Sequence, residues 1–477
     1  MDGAHRLQSL ATSIPGLTLF RLPVHADSRG WFKENWHRRK MMDIGLPDFG
    51  PVQNNISFNA ERGTTRGIHA EPWDKFVSLA AGRIFGAWVD LREGPTFGVL
   101  FTAELTPGDA IFVPRGVGNA FQTLEDRTVY SYLVNDHWSP EAQEEYTFLN
   151  LADEQVAVPW PIPVEQATVS PQDRKHPRLA DVRPMQKKRT LVVGADGQLG
   201  SALRKAFAGD ATVDFAGHPQ FDITSVESFE SVDWPHYSTV INAAAFTAVD
   251  VAETTEGRTA AWLINAGAVA ALARTAVEHS LTLVHLSSEY VFDGSAEVHS
   301  EEEALTPLGV YGQSKAAGDL AASTVPRHYL VRTSWVVGDG RNFVRTMAAL
   351  AERGASPNVV DDQFGRLTFA DDLAAGIKHL LDTQAPYGTY NISNSGAPVS
   401  WAQVAREVYR LSGVDPLKVT AVSTAAYAGP GSAPRPRNSV LDLAKIKAAG
   451  FSPPDASQRL VEYLLARETL AKGSHSS

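Results

Sequence analysis

The run LVVGADGQLG, Leu191 to Gly200, reads as a buried strand leading straight into a glycine turn. Glycines at Gly194, Gly197 and Gly200 let the backbone approach a pyrophosphate where a helix begins, because the free N–H groups and the dipole of a helix N-terminus favour anions. Such a turn ordinarily opens an α/β nucleotide-binding chain, yet here it arrives only at Gly194. The residues ahead of it must build a unit of their own, and at 477 residues the chain is long enough for two.

The two halves differ in pattern. From about Gly16 to Trp160 short runs rich in Val, Ile, Phe and Tyr (KFVSLAAG, IFGAWVDL, LFTAEL, AIFVPRG, RTVYSYLV) are separated by Gly, Pro and Asp. That spacing predicts an all-β sandwich or barrel. Residues 171–188, proline-bearing, basic and without apolar period, are expected to be a linker after a first domain over 1–170. From Arg189 apolar strands (TLVVGA, TVINAAA, TLVHLSS, YLVRTSWV) alternate with Ala-rich helical stretches, which predicts a parallel sheet covered by helices over 189–477. The closing KGSHSS is expected to be disordered.

With 43% hydrophobic and 20% charged residues the chain is globular, and its net charge of -11 argues against a phosphate-backbone partner, which needs clustered Lys and Arg. There is no cysteine, so disulfides, thiol nucleophiles and thiolate metal sites are excluded. The start, MDGAHRLQSLATSIPGL, lacks the apolar core of a signal peptide, and runs of about 18 apolar residues are not expected. A soluble cytoplasmic protein without a membrane partner is the expectation.

In the second half, YGQSK (Tyr311 to Lys315) follows HLSSEYVFDG (His285 to Gly294). Residues i and i+4 share a helix face, so the Lys315 ammonium is expected beside the Tyr311 phenol, favouring its ionised form and readying it as a proton donor. With Ser288 at a strand end, the set suits reduction of a carbonyl by a nicotinamide. The stretches GADGQLG, FDIT, NAAAFTAVD, SSEYVFDG, YGQSK, VRTSWVVGDGRNFV, DDQFGRLTFADDLA and RPRNSVLD resemble the dTDP-4-dehydrorhamnose reductases of the extended short-chain dehydrogenases, over roughly Arg189 to Leu465.

The resemblance implies a Rossmann fold with a small substrate-binding subdomain and catalysis by Ser288, Tyr311 and Lys315. It implies a cofactor lined by Gly194, Gly197, Gln198, Leu199, Gly200, Asp222, Ile223, Ala243, Ala244, Ala245, Thr247, Tyr311 and Lys315, and a sugar nucleotide near Glu289, Trp335 and Arg435. That family usually has Thr and Asp where this chain has Ser288 and Glu289; the hydroxyl is kept and the acid is one methylene longer. The second strand, ATVDFAG, ends on Gly217, His218 and Pro219 without a carboxylate to repel a phosphate, which favours NADPH, with NADH the alternative.

In the first half, TTRGIHAEPWDK holds Arg66, His69 and Lys75; Tyr132 and Asp153 come later. Epimerising a carbon beside a ketone takes a base, a cation for the enolate and an acid on the opposite face. His69 suits the base, with a carboxylate such as Asp153 fixing its tautomer, Lys75 the cation and Tyr132 the acid.

The ordered set, with DSRGWFKE, QNNISF, RGIHAE, VDLREGPTFG, FVPRGVGNAF and DEQVAVPWP, resembles the dTDP-4-dehydrorhamnose 3,5-epimerases, a cupin-like β fold, from about Gly16 to Pro161. The resemblance implies that His69, Asp153, Tyr132 and Lys75 are catalytic, that Arg29, Glu34, Gln53, Asn55 and Arg66 hold nucleotide and sugar, and that a homodimer forms in which partner strands contribute to the site. Two positions depart from it: Glu71 where Gln is usual, and Asn119, a further substrate-side position, where His is usual. A second His at ligand spacing from His69 is not visible, so the site is expected to be metal-free.

The leading reading is a bifunctional enzyme that inverts C3 and C5 of a dTDP-4-keto-6-deoxy sugar and then reduces C4, toward dTDP-L-rhamnose. Two alternatives stay open: an active reductase joined to a cupin module that only binds sugar nucleotide, and a reductase-like regulatory protein of the kind represented by the methionine adenosyltransferase β subunit.

Overall fold

The computed structural model describes residues 6–139, 141–429 and 431–473. Of the closing KGSHSS, expected to be disordered, Lys472 and Gly473 end the helix Ala456–Gly473, and Ser474 to Ser477 lie outside the described residues. The chain divides into two compact units, Met1–Lys187 and Lys188–Ser477.

The first unit is built from strands β1 (Gln8–Ala11), β2 (Thr18–Arg21), β3 (Val24–Asp27), β4 (Gly30–Lys33), β5 (Gln53–Asn59), β6 (Thr64–Ala70), β7 (Lys75–Ala81), β8 (Ile84–Asp90), β9 (Leu100–Leu105), β10 (Asp109–Val113), β11 (Val117–Thr123), β12 (Thr128–Val134), β13 (Thr147–Phe148) and β14 (Thr168–Val169). They form two sheets, ordered β1-β2-β10-β7-β12-β5 and β13-β6-β11-β8-β9 with β14 also beside β6, while β3 and β4 make a separate hairpin.

Period-2 alternation sends Val77, Leu79, Ile111 and Tyr130 of the first sheet against Ile84, Trp88, Val117 and Phe121 of the second. Phe121 and Tyr130 stack across that layer with centroids 4.3 Å apart. Each such side chain removed from water contributes roughly 1.5–3 kcal/mol, enough together to hold the two sheets as the expected cupin-like jelly roll.

Residues 171–187 are not the linker that the sequence predicts. Val182 and Met185 are buried with Ile68, Val89 and Leu149 on the outer side of the second sheet, and Met185 N–H donates to Leu91 O. Three apolar side chains (Leu179, Val182 and Met185) in a basic, proline-bearing stretch suffice to bind it to the sheet, a pattern too sparse for a periodicity reading.

The second unit has a parallel sheet in which β15 (Arg189–Val193) lies between β16 (Val213–Ala216) and β17 (Tyr237–Asn242), followed by β18 (Thr282–Ser288), β19 (His328–Thr333) and the strand Gly388–Asn391. Its strands are buried on both faces, which explains their unbroken apolar runs. A separate core of Val344, Met347, Phe369, Val404, Val408 and Leu460 joins the helices Phe343–Glu352, Trp401–Leu411 and Ala456–Gly473 into a small subdomain. This is the Rossmann arrangement with a small subdomain that the sequence implied.

One stretch, Thr255–Glu278, is long and apolar enough by composition to cross a membrane, but it is not an unbroken apolar run, since Glu256, Arg258, Asn265 and Arg274 interrupt it. Its inward positions Val269, Leu272, Ala273 and Ala276 pack into the core under the sheet. Ala-rich core helices meet a composition test for membrane spans because small apolar residues are what a covered sheet accepts.

Candidate active sites

In the first unit the two sheets diverge around a cavity of about 560 Å³ lined by residues that include Arg66, His69, Glu71, Lys75, Asn119, Tyr132 and Asp173. Gly67, at φ 118°, permits the close approach of β6 and β11: a Cβ there would meet Asn119 O at 2.7 Å. That approach sets His69 opposite Asn119 in the ladder.

His69 Nε2 is 2.9 Å from Asp173 Oδ1. The expected partner, Asp153, is elsewhere: its buried carboxylate accepts the backbone N–H groups of Gln155 and Val156, capping their turn, and that of Leu179 from a separate segment. Asp153 is thus a turn-building residue, and the role foreseen for it falls to Asp173 in the stretch read as linker. Burial raises the Asp173 carboxyl, but the hydrogen bond and charge of His69, with His176 and the Gly67 N–H, hold it below the ordinary range. The available signal was S-P-Q-D, Ser170 to Asp173, whose Ser170 hydroxyl accepts the Asp173 N–H and opens a helical turn.

The reason given for a metal-free site also fails. His176 stacks on Phe148 at 4.6 Å and lies 5.3 Å, centroid to centroid, from the His69 ring, so ligand atoms of His69, Asp173 and His176 fall within 4.8 Å of one another. Burial first, then the neighbouring His69, keeps the His176 imidazole below its usual pKa, against the pull of Asp173. A second His is present because the fold folds residue 176 back onto β6, which ligand spacing along the chain does not reveal.

Lys75 forms a buried ion pair with Glu71, whose other oxygen accepts Trp73 Nε1–H, and its ammonium sits 5.3 Å above the Tyr132 ring. Burial, reinforced by Glu71 and eased by Arg66, pushes the Tyr132 phenol up to about 12. Arg66 donates to Asn59. Asn119, in place of the usual His, accepts Trp88 Nε1–H at 2.9 Å and donates to the Tyr130 hydroxyl at 3.0 Å.

Four expected substrate residues lie outside this lining. Arg29 pairs with Asp27 at the exposed β3–β4 turn, Glu34 pairs with Lys40, and Gln53 donates to Asn55 on the edge strand β5.

In the second unit the glycine turn sits where β15 meets the helix Gln198–Ala206. Gly194 has φ 74°, and a Cβ on it would meet Ala244 N at 2.4 Å; one on Gly200 would meet the Ala195 backbone at 2.5 Å. Gly197 is the N-cap, so the first-turn N–H groups of Gln198, Leu199 and Gly200 lead a nine-residue helix. The Gln198 side chain itself accepts Gly338 N–H, and Leu199 packs into the core.

Ala243 and Ala244 close the other side of the turn, with Ala245 and the exposed Thr247 following β17. Asp222 caps Thr224 and Ile223 is buried behind it. At the end of β16 the Asp196 carboxylate packs on Gly217, so this end is not free of carboxylate as the strand alone suggested.

Ser288, at the end of β18, donates to Glu289 at 2.7 Å, and Glu289 is buried. Tyr311 and Lys315 share the buried face of the helix Val310–Ala322. The Lys315 ammonium donates to Leu286 O and is pulled down to about 8 by burial, partly restored by Asp319. Tyr311 is raised above the ordinary phenol value, first by burial and then by Glu289, with Ser288 opposing. The sequence expectation that Lys315 favours the ionised phenol is not met in this state, because the ammonium turns to a backbone carbonyl.

Trp335 stacks on Trp401 at 3.6 Å, and Arg435 forms an ion pair with Asp250. Glu289, expected at the sugar, turns back on Ser288.

A family model described as dTDP-4-dehydrorhamnose 3,5-epimerase matches residues 11–181, and one described as RmlD substrate binding domain matches residues 188–469. An RmlC homolog of Streptococcus pyogenes serotype M6 is 47% identical over 180 residues, 37% of this chain and 90% of that protein. A dTDP-4-dehydrorhamnose reductase of Aggregatibacter actinomycetemcomitans is 37% identical over 295 residues, 57% of this chain and 97% of that protein. The crystal structure of the Bacillus anthracis dTDP-4-dehydrorhamnose reductase in complex with NADP is 31% identical with a TM-score of 0.55, covering 59% of this chain and 99% of that one. The chain therefore belongs to two families in succession, the dTDP-4-dehydrorhamnose 3,5-epimerases through its first unit and the RmlD-type dTDP-4-dehydrorhamnose reductases through its second.

Proposed function

We propose that the chain is a bifunctional enzyme that converts dTDP-4-dehydro-6-deoxy-D-glucose to dTDP-L-rhamnose. The observation that carries this reading is the His69–Asp173 pair in one cavity with Lys75 and Tyr132, in a chain that also holds Ser288, Tyr311 and Lys315 around a glycine turn.

The C4 ketone acidifies the protons on C3 and C5. His69, held in orientation by Asp173, removes each one; Lys75 and Arg66 steady the enolate oxygen; Tyr132 returns a proton on the other face. Epimerisation comes first, because reduction removes the ketone that makes it possible.

In the second unit the cradle fits a dinucleotide: Gly194 and Gly200 leave no room for a Cβ, and the first-turn N–H groups of Gln198, Leu199 and Gly200 are placed for a pyrophosphate. NADPH supplies hydride to C4 when bound. Ser288 orients the ketone oxygen, Tyr311 gives it a proton, and Lys315 holds a positive charge nearby. Asp222, Ile223, Ala243 to Ala245 and Thr247 border the same end of the sheet, and Trp335 and Arg435 line the approach of the sugar nucleotide.

A homodimer is part of the same reading. Trp31 and Phe32 on the β3–β4 hairpin and Ile56 and Phe58 on edge strand β5 are exposed apolar side chains beside Arg29, Gln53 and Asn55. Pairing of two copies through this edge would cover them and bring those polar residues to a partner's cavity. Sedimentation of the wild type against Ile56→Lys tests it, with a monomeric wild type as the contrary result. A cytoplasmic setting suits an enzyme supplied with NADPH and a nucleotide sugar.

The function is tested by incubating the protein with dTDP-4-keto-6-deoxyglucose, NADPH and, separately, the UDP sugar, then identifying products by NMR. The reading predicts dTDP-rhamnose from the dTDP substrate; a 6-deoxy sugar of unaltered C3 and C5 configuration would remove the epimerase half from it.

A further inference from the structure

His176 takes no part in the chemistry assigned above, and its surroundings are unusual for an imidazole. The side chain is 8% exposed and stacks on Phe148. Its Nδ1 is buried and meets no hydrogen-bond partner among the described residues, and its Nε2 stops 4.0 Å from Asp173 Oδ1, beyond hydrogen-bond reach. Buried polar side chains are ordinarily paired, and one left unpaired beside a carboxylate and a second imidazole has the chemistry of a metal ligand. Stacking alone holds this ring, and its lone pair is uncommitted.

The spacing suits a small divalent ion. His69 Nε2 and His176 Nε2 lie 2.9 Å and 4.0 Å from the same Asp173 oxygen, and the ligand atoms of the three residues fall within 4.8 Å of one another. Tetrahedral zinc, with bonds of about 2.1 Å, sets its ligands roughly 3.4 Å apart, between those two spacings, so small ring rotations suffice. The surroundings orient the three. The Gly67 N–H holds the Asp173 carboxylate, and Phe148, which braces His176, pairs with His69 in the β13–β6 ladder. Asp173 brings a negative charge, Lys75 in the same cavity is already paired with Glu71, and His69 is 31% exposed, which leaves an ion a way in.

We infer that His69, Asp173 and His176 bind a divalent ion of the zinc class, and that the bound ion stops epimerisation while reduction continues. The effect on epimerisation rests on the function proposed above; the ion site does not. Asp173 accepts the Nε2 proton of His69 and so leaves Nδ1 free to take a proton from carbon. An ion on Nε2 moves that ring proton to Nδ1, with no net gain or loss, and the base nitrogen is then blocked. Removal of the ion restores the reactive tautomer.

The test uses the full chain stripped of metal with EDTA and dialysed. Zn2+ binding is measured by calorimetry, and deuterium uptake at C3 and C5 of dTDP-4-keto-6-deoxyglucose is followed in D2O without nicotinamide, for wild type and His176→Phe. In the wild type, saturating Zn2+ should cut uptake by about 100-fold or more, and EDTA should restore it. His176→Phe keeps a ring against Phe148; it should bind Zn2+ at least about 100-fold more weakly and take up deuterium at the metal-free wild-type rate with or without that Zn2+. Reduction of the epimerised sugar by the wild type should not respond to the ion.

Co2+ in place of Zn2+ should give the visible bands of tetrahedral coordination in the wild type and lose them in His69→Ala, an arm that stands even if His176→Phe fails to fold. Equal Zn2+ affinity in wild type and His176→Phe, or Co2+ bands that survive in His69→Ala, would overturn the site. Equal slowing of wild type and His176→Phe would place the ion on the sugar diphosphate and overturn it too. Zn2+ that binds at these residues without slowing uptake would overturn the switch. A metal-free wild type that takes up no deuterium would overturn the epimerase reading and the switch with it, while Zn2+ binding lost in His176→Phe would leave the ion site standing.

Discussion

Asp173 Oδ1 lies 2.9 Å from His69 Nε2, although 104 positions separate the two residues in the chain. In the proposed epimerisation this pair supplies the base, and Asp173 stands where the sequence reading put Asp153.

Replacing Asp173 by Asn should cut deuterium uptake at C3 and C5 by about 100-fold or more, because the imidazole loses the acceptor that fixes its tautomer. Asp153→Asn should instead lower stability, by about 1–3 kcal/mol for the turn it caps, and leave the exchange rate of the folded protein near wild type. Exchange rates followed by NMR alongside urea unfolding separate the two; equal loss of exchange in both variants would contradict the assignment.

His69→Ala should abolish exchange while leaving NADPH-dependent reduction of the already epimerised sugar intact, since each unit has its own core and site. A parallel fall in reduction would show that the two activities are not independent.

How much of this was legible in the sequence differs between the halves. The glycine turn, Ser288, Tyr311 and Lys315 were readable because local geometry places them: a strand end, a helix N-terminus and an i, i+4 helix face. The first site was half readable. Arg66, His69, Lys75 and Tyr132 lie on strands whose alternation marks them, whereas Asp173 and His176 arrive from an irregular segment held only by Leu179, Val182 and Met185. Long-range return of a chain onto a sheet leaves no periodic trace.

Glu71 and Lys75 form a buried pair, so removing one partner strands the other. Glu71→Ala should cost about 3–5 kcal/mol in urea unfolding of the first unit, and Glu71→Gln, which retains the bond from Trp73, clearly less. A neutral effect of Glu71→Ala would mean that Lys75 finds water instead.

Glu289 also writes itself into stability. Its folded carboxyl is raised to about 7, above its unfolded value, so the folded state binds the extra proton and loses stability as pH rises from the unfolded pKa through the folded one. Relative to Glu289→Gln, the wild type should weaken by about 3 kcal/mol between roughly pH 4.5 and pH 7.5 and change little above. Unfolding of both proteins across that window checks it, and a difference that does not vary with pH would place the carboxyl in contact with water.

The most direct test of two sites acting in succession is one reaction run in D2O with dTDP-4-keto-6-deoxyglucose and protiated NADPH. The account predicts dTDP-L-rhamnose carrying deuterium at C3 and C5 and protium at C4. A reduced sugar with protium at all three carbons would contradict it.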